Sequence, residues 1–407
     1  MSVSKLSEEI KKAGIDVEVV TTTANGSDEV SVARGIPTLV DEVPVTYYKR
    51  ITKDHTHFSP SLLSALAAKI QKSKVKNQQP IVHVHAWWNL VSIFAAWVAR
   101  WKKVPVIISP RGTLSGYSFS NKNSGIKDYI HRFLGKGLLE YSYFHVTSEK
   151  EKRDVERLVK PKGVFVIPNF VRIPEEGNGE RWKVEGEKLE GKGERLKLEG
   201  ERFEVKGLEP QNNELSDSEE LESRQPLKLL FISRVEEKKG LELLLECLKD
   251  IKAEWTLSIA GSGEETYVQK LKQQAEASGI SLRITWLGHV SNDQKFDVMA
   301  HHDLMVLPSF DENFANVVIE CLSVGTAVLL TENVGLADYV ETRNLGWVCQ
   351  RTRDDLMSKL EEAAKNRKHL LAIRENAPSI IRHDFNEAVL VKRYVSMYES
   401  VLESERR

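Results

Sequence analysis

LMVLPSFDENFANVVIECLSVG, residues 304–325, reads as a buried strand, a loop and a helix in immediate succession. The strand ends at Leu307, the loop carries Ser309, Phe310, Asp311 and Glu312, and the helix begins near Asn316 and runs through Glu320 towards Gly325. A helix N-terminus presents unpaired backbone N–H groups to hydroxyl or phosphate oxygens. A carboxylate just ahead of it, Glu312, can accept two sugar hydroxyls, and Glu320 within the helix can face the same cleft and accept both hydroxyls of a ribose. Taken alone, the two glutamates also fit one capping acid and one surface side chain.

The flanking sequence repeats the same alternation. Lys228 to Ser233, Thr256 to Ala260, Arg283 to Leu287 and Ala327 to Thr331 are short apolar runs of strand type, and Gly240 to Ile251 and Glu264 to Ala277 are helical between them. Strands alternating with helices predict a doubly wound parallel sheet. Gly261-Ser262-Gly263 follows a strand and opens a helix, where such a turn approaches a ligand, but the full Gly-x-Gly-x-x-Gly fingerprint of a dinucleotide site is absent.

A second series lies upstream, with strands at Val17 to Val20, Ile81 to Val84, Val104 to Ile108, Phe144 to Thr147 and Val164 to Ile167. Helices are expected at Met1 to Ala13 and Leu90 to Trp101. The last helix, Asn386 to Leu402, carries Val391, Tyr394, Val395, Tyr398 and Val401 on a broad apolar face that must pack on something. With 407 residues, two cores are the natural expectation. The chain therefore divides into a first Rossmann-like domain at 1–172, a connection at 173–226, a second such domain at 227–385, and a final helix at 386–407 packing back across the domains.

The connection is of another kind. Gly179 to Lys206 repeats a heptad opening Gly-Glu-Arg or Gly-Glu-Lys, and an acidic stretch, Glu214 to Glu222, follows. A period of seven suggests a coiled coil. However, the apolar pairs Trp182 and Val184, Leu196 and Leu198, and Phe203 and Val205 sit two apart, and would point to nearly opposite sides of a helix. A glycine in each heptad costs about 1 kcal/mol in a helix, so an inserted low-complexity linker, disordered or weakly β-like, is the better reading.

The chain is 41% apolar, with 58 Lys and Arg against 59 Asp and Glu, the profile of an ordinary soluble protein and not of a nucleic-acid binder. Cys247, Cys321 and Cys349 lie in apolar surroundings without ligand spacing. Val82 to Val98 is too short and too polar to span a membrane, and no signal peptide opens the chain.

In the first series, His83-Val84-His85 ends a strand, followed by Trp87, Trp88 and Asn89. His85 is nearer the carboxyl end, where open α/β sheets bind ligands; a hydrogen-bonded core histidine suits His83. Ser109-Pro110-Arg111-Gly112 follows the next strand at the same edge. Tyr117 to Phe144 mixes basic and aromatic residues, as either an anionic leaflet surface or an ordinary amphipathic helix requires.

Along nearly the whole chain these motifs resemble the retaining glycosyltransferases of family 4, the glycosyl transferases group 1 with the GT-B fold. The resemblance implies that Glu312 contacts the donor sugar, that Glu320 holds the ribose, and that Phe314, Ala315 and Asn316 belong to the donor loop. Ala315 stands where the family usually has glycine. Arg234 and Lys239 match the pair that neutralises the donor diphosphate, whose leaving phosphate gains negative charge in the transition state. Leu287 to Val290 matches a turn beside the nucleobase, with backbone contacts at Val290 and no chemical role for His289. His85 matches a histidine that reaches the transferred sugar or diphosphate, and Ser109 to Gly112 resembles a polysaccharide-building subset in which Arg111 would meet an anionic acceptor or a phosphate.

The resemblance also implies a strand and a glycine-rich loop ahead of the opening helix. Neither is present here, so a gap is expected between the strands at Val17 to Val20 and Ile81 to Val84, as a start codon set too far downstream or a damaged copy would leave. The expected activity is retaining transfer from a UDP- or GDP-sugar to a glycan or lipid-linked acceptor in polysaccharide synthesis. It would need no metal, since the sequence lacks Asp-x-Asp, and no cofactor beyond the donor. The site would be cytoplasmic, at or near the anionic inner membrane face. The alternatives are a nucleotide-sugar epimerase of the same fold and a truncated non-catalytic relic.

Overall fold

The computed structural model describes residues 2–26, 28–52, 56–116, 135–174 and 225–406. The heptads at Gly179 to Lys206, the acidic stretch after them and most of the basic stretch from Tyr117 lie outside the described residues. No helix among the described residues is long and apolar enough to cross a membrane.

The first half opens with α1 (Ser2–Lys12), whose Leu6 and Ile10 are buried, and continues through β1 (Val19–Thr22), β2 (Ala24–Asn25), β3 (Asp28–Glu29), β4 (Pro37–Val40) and β5 (Val43–Tyr48). β1 and β5 pair in parallel and β4 adds an antiparallel edge to β5. The hairpin turn is only Asp41 and Glu42, both in the left-handed region at φ 49° and 64°. That geometry suits the twist of a two-residue hairpin but is normally supplied by Asn-Gly or Gly, so the sequence does not announce the turn.

α2 (Pro60–Val75) starts from the Ser59 cap with proline at its first position and buries Leu62, Leu66 and Ile70 at one-turn intervals. It leads to β6 (Val82–His85), α3 (Leu90–Trp101), β7 (Val106–Ser109), α4 (Lys136–Tyr141), β8 (Tyr143–Val146), α5 (Glu149–Leu158) and β9 (Gly163–Val166). These strands form a four-stranded parallel sheet in the order β6-β7-β8-β9. β7 and β8 are buried throughout, as parallel strands covered on both faces must be.

The described residues of the first half thus carry three sheets, the third being the two-stranded antiparallel pair β2-β3, and β1 and β6 are edge strands of different ones. The residues leading into them, Val17 and Ile81, pack on one shared cluster. β1 and β6 are thus not hydrogen-bonded to each other.

The second half comprises β10 (Leu227–Ile232), α6 (Leu241–Leu248), β11 (Trp255–Ala260), α7 (Glu265–Ala277), β12 (Ile284–Gly288), α8 (Lys295–Ala300), β13 (Leu304–Leu307), α9 (Asn316–Ser323), β14 (Ala327–Thr331), α10 (Ala337–Arg343), β15 (Gly346–Cys349), α11 (Arg353–Lys365) and α12 (Arg367–Asp384). Its six strands are all parallel in the order β12-β11-β10-β13-β14-β15. This is the doubly wound order in which the chain reverses direction between β10 and β13, opening a crevice at their carboxyl ends. The final helix, α13 (Glu387–Ser404), buries Leu390, Tyr394, Met397 and Val401 against α1 and the first half.

Candidate active site

Two sets of loops face each other. From the second half come the turns after β10, β13 and β14; from the first half, those after β6, β7, β8 and β9. Backbone approach is close enough in the crevice to demand glycine. A Cβ on Gly240, at φ 72°, would lie 2.1 Å from the Pro308 carbonyl oxygen. Cβ atoms on Gly261 and Gly263 would lie 1.8 and 2.0 Å from the carbonyl oxygens of Ser233 and Val235. The glycines read from sequence as ligand-facing are thus required first by packing of the β11 turn on the β10 turn.

Glu312 sits where that crevice opens. Its backbone is pinned on both sides, its N–H donating to the Asn333 carbonyl at 3.0 Å and its carbonyl accepting from Gly335 at 2.9 Å. Its carboxylate pairs with the buried ammonium of Lys239. Arg234, by contrast, is 76% exposed and pairs with Glu236 at 3.0 Å. Glu320, on α9, pairs with Lys295 of α8 at 2.7 Å, both half-buried. The turn between the two glutamates places Ala315 in the left-handed region at φ 64°, just before the first turn of α9, so alanine holds the conformation that the usual glycine would adopt without strain. Phe314 departs from expectation: its ring is buried in the core, 6.3 Å from Phe385 at 66°, leaving only its backbone for a ligand. Val290 packs on the edge of the core beside the exposed Gly288 and His289.

The loop carrying Glu312 is also clamped to the first half. Asp311, only 6% exposed, accepts from Lys150 at 2.6 Å, Ser115 at 3.0 Å and Lys238 at 3.4 Å. Burial works to raise its pKa, but Lys150, Lys238 and the Ser115 hydroxyl outweigh it and hold the carboxyl below its ordinary value. Asn313 donates to Thr147 at 2.8 Å and its carbonyl accepts from Ser148 at 2.9 Å. Asn316 accepts from Asn169 at 3.3 Å, and Asn169 in turn accepts from Arg111. Beside this clamp an open cleft of about 420 Å³ is lined by Lys150, Arg153, Arg157, Phe310, Asp311 and Glu332 among others.

At the first-half edge the histidines divide as their positions suggest. His83 is satisfied at both nitrogens, by Tyr398 at 2.9 Å and Ser109 at 2.7 Å. His85 stacks on it at 4.3 Å, with its Nδ1 buried and unpartnered. Burial, reinforced by the Arg111 charge, pulls the His83 pKa down to about 3. Burial, then His83, Arg111 and His145, holds His85 well below its usual value, so both imidazoles are neutral near pH 7. Arg111 lies at φ 57° and its Nε is buried without a partner. Ala86, directly after His85, is at φ 64°. Strain of this kind costs about 1–3 kcal/mol per residue; three of the nine non-glycine residues at positive φ among the described residues, Ala86, Arg111 and Ala315, lie here.

Asp311, Lys150, Asn313, Asn169 and Lys295 are absent from the sequence-derived set. The signal that could have found Lys295 is a basic residue opening the helix before β13; no local pattern links Asp311 to Lys150.

Comparison with known proteins agrees with this geometry. Residues 1–173 match the family model described as Glycosyltransferase Family 4, and residues 212–380 that described as Glycosyl transferases group 1. An uncharacterized glycosyltransferase of Methanocaldococcus jannaschii is 26% identical over 43% of this chain, and the D-inositol 3-phosphate glycosyltransferase of Rhodococcus jostii 24% identical over 91%. A protein of Salmonella typhimurium named for colanic acid biosynthesis is 23% identical over 43%. The matches span 45%, 77% and 46% of those three proteins' own lengths, in that order. Among solved structures, Anabaena HepE in complex with UDP superposes with a TM-score of 0.68 at 15% identity, covering 98% of this chain and 96% of that one. With two matched halves, two Rossmann-like sheets and a crevice between them, the chain belongs to the glycosyl transferases group 1 family and has the GT-B fold.

Proposed function

We propose that the protein is a retaining glycosyltransferase that moves a sugar from a UDP- or GDP-sugar to a glycan or lipid-linked acceptor in polysaccharide synthesis. The observation that carries this reading is the pair of lysine-bound carboxylates, Glu312 with Lys239 and Glu320 with Lys295, set around the β10/β13 crevice where α9 begins. Relatives named for glycosyl transfer and for colanic acid synthesis, and a neighbour solved with UDP, support the donor and product classes.

In this reading Glu320 accepts the ribose hydroxyls while Lys295 fixes one of its oxygens. Glu312 accepts hydroxyls of the donor sugar. Lys239 and Arg234 face the diphosphate, so that protein cations take up the charge released on the leaving phosphate without a metal or further cofactor. The acceptor hydroxyl oxygen bonds to the anomeric carbon on the face from which the nucleoside diphosphate departs. The bond from that carbon to the phosphate oxygen breaks, and the acceptor proton passes to the departing phosphate. Neutral His85 can donate or accept one hydrogen bond to the sugar, and Arg111, with Nε free, suits an anionic group on the acceptor. Domains 1–172 and 227–385, joined through 173–226, would close through the Asp311 clamp, on the cytoplasmic side of an anionic membrane face.

The rivals are a nucleotide-sugar epimerase of the same fold and a truncated non-catalytic relic. Calorimetric titration with UDP and GDP, followed by product analysis with UDP- and GDP-sugars and an acceptor, decides between them. Release of a glycoside with retained anomeric configuration is expected; rearranged free donor would mean an epimerase, and binding without turnover a relic.

A further inference from the structure

The membrane side of that reading can be given a place. α3 turns most of its length inward, burying Ile93, Ala95, Ala96, Val98 and Ala99. Trp97 and Trp101, one turn apart on its outer face, are 51% and 64% exposed. Their rings stack on each other at 6.1 Å and 19° instead of on the protein. Two large aromatic side chains left in water beside a well-formed core are not explained by packing.

Their surroundings are basic. The Lys102 ammonium lies 4.9 Å from the Trp101 ring. Lys74, at the end of α2, donates to the Lys102 carbonyl, which brings the exposed Lys72, Val75 and Lys76 to the same edge. Arg100 donates to the Gly137 carbonyl at 2.8 Å, beside the exposed Lys136. Two acids that reach these elements are already paired, Glu18 with Lys69 of α2 and Glu140 with Lys136 of α4 at 3.9 Å. From His55 to Leu139 the sequence holds twelve Lys and Arg but a single acid, Asp128, although the whole chain is balanced at 58 to 59. The asymmetry belongs to this stretch of the sequence, from which both α2 and α3 come.

We infer that the outer face of α3, with the end of α2, seats the protein on a bilayer of anionic lipids, Trp97 and Trp101 entering the headgroup region and the lysines meeting lipid phosphates. This rests on the reading of the acceptor as lipid-linked or membrane-apposed. Tryptophan suits the interface because its ring is apolar and its N–H can stay wet, and lysine lays its stem along apolar surface while the ammonium reaches outward. A second copy of the chain would bring like charges together and is disfavoured. The geometry serves the proposed reaction: α3 begins at Leu90, five residues beyond His85, and Trp97 follows about 10 Å further along the axis at 1.5 Å per residue.

The test uses the full chain and sedimentation with vesicles of phosphatidylcholine alone or with phosphatidylglycerol. Binding to the anionic vesicles at low salt, at least tenfold weaker to the neutral ones, with a blue shift in tryptophan emission, is expected. Trp97→Ser with Trp101→Ser should lose at least tenfold in binding while keeping the melting temperature, and Lys72→Glu with Lys74→Glu should do the same. If the tryptophan substitutions lower the melting temperature, the lysine variant decides. Absence of wild-type binding to anionic vesicles, or unchanged binding in the deciding variant, overturns the inference. So does self-association or duplex DNA binding that the tryptophan substitutions abolish without a lipid effect. UDP and GDP titrations run in parallel bear on the transferase reading alone, because none of the substituted residues lies in the crevice.

Discussion

Asp311→Ala tests whether the clamp across the crevice sets how readily the two halves close. The carboxylate accepts from Lys150 and Ser115 of the first half and from Lys238 of its own half. A hydrogen bond to a charged partner is worth about 1.5–3 kcal/mol and a neutral one about 1 kcal/mol. Lys150 keeps Asp154 at 3.1 Å as a second partner, which softens the loss, and Lys238 is a third exposed, so its contribution is screened. The expected net cost to closure is about 2 kcal/mol, roughly a 30-fold shift towards the open arrangement. Small-angle scattering with and without donor reads that shift as a larger radius of gyration, and kinetics read it as loss of kcat/KM with the core melting temperature unchanged. Asp311→Asn, which keeps the shape and an acceptor for Ser115, should fall between. The pH dependence has a definite sign. The carboxyl is held below its ordinary value only while clamped, so its contribution is full above the ordinary carboxylate pKa and disappears as pH falls through the lowered value. An Asp311→Ala protein that closes and turns over as wild type, or whose closure strengthens on acidification, would refute the clamp.

Glu320→Ala and Arg234→Ala should each weaken donor binding or turnover at least tenfold with the fold intact, because each removes a charged contact to ligand and not packing; unchanged donor kinetics in both would sink the assignment. Lys295→Met should raise the donor KM several-fold and leave kcat alone, since orienting the Glu320 carboxylate supports ground state and transition state alike; a fall in kcat at saturating donor would place Lys295 nearer the chemistry. Ala315→Gly should raise the calorimetric melting temperature by about 2–4 °C, as relief of about 1 kcal/mol of left-handed strain in a domain of this size would. A lower melting temperature would mean that the gain in chain entropy on unfolding outweighs the strain.

The second-half sheet is legible because its strands are continuous apolar runs bounded by turns, and six of them in parallel have few other ways to be arranged. β15 escapes because Gly346 interrupts the pattern; a Cβ there would lie 2.0 Å from the Val328 carbonyl oxygen, so strand pairing itself demands the glycine. β4 escapes because every residue in it is exposed and its turn uses Asp41 and Glu42. The inward and outward faces of α13 are readable from period alone, but that they rest on α1 and the first half is not.

The site is legible in its spacing and not in its charge state. Sequence offers Glu312 and Glu320 as free acceptors and Arg234 and Lys239 as free cations. In the folded chain Lys239 already holds Glu312, Lys295 holds Glu320, and Lys150 and Lys238 hold Asp311, 161 and 73 residues away along the chain. No local pattern could disclose the pairing of Asp311 with Lys150. The consequence of these pairings is that a half-buried crevice with three carboxylates can stay folded without donor, each negative charge being met by a lysine where desolvation would otherwise be costly. On the proposed reading, a donor diphosphate would compete with Glu312 for Lys239, and as Lys239 turned to phosphate the Glu312 oxygens would be released to accept sugar hydroxyls. Binding by exchange of partners costs less than exposing a bare lysine beforehand, and it couples recognition of the sugar to recognition of the phosphate. Lys239→Ala should therefore disturb both, weakening binding of UDP alone and, to a further degree, discrimination among UDP-sugars; loss confined to the nucleotide, with sugar discrimination kept, would show that Lys239 and Glu312 act independently.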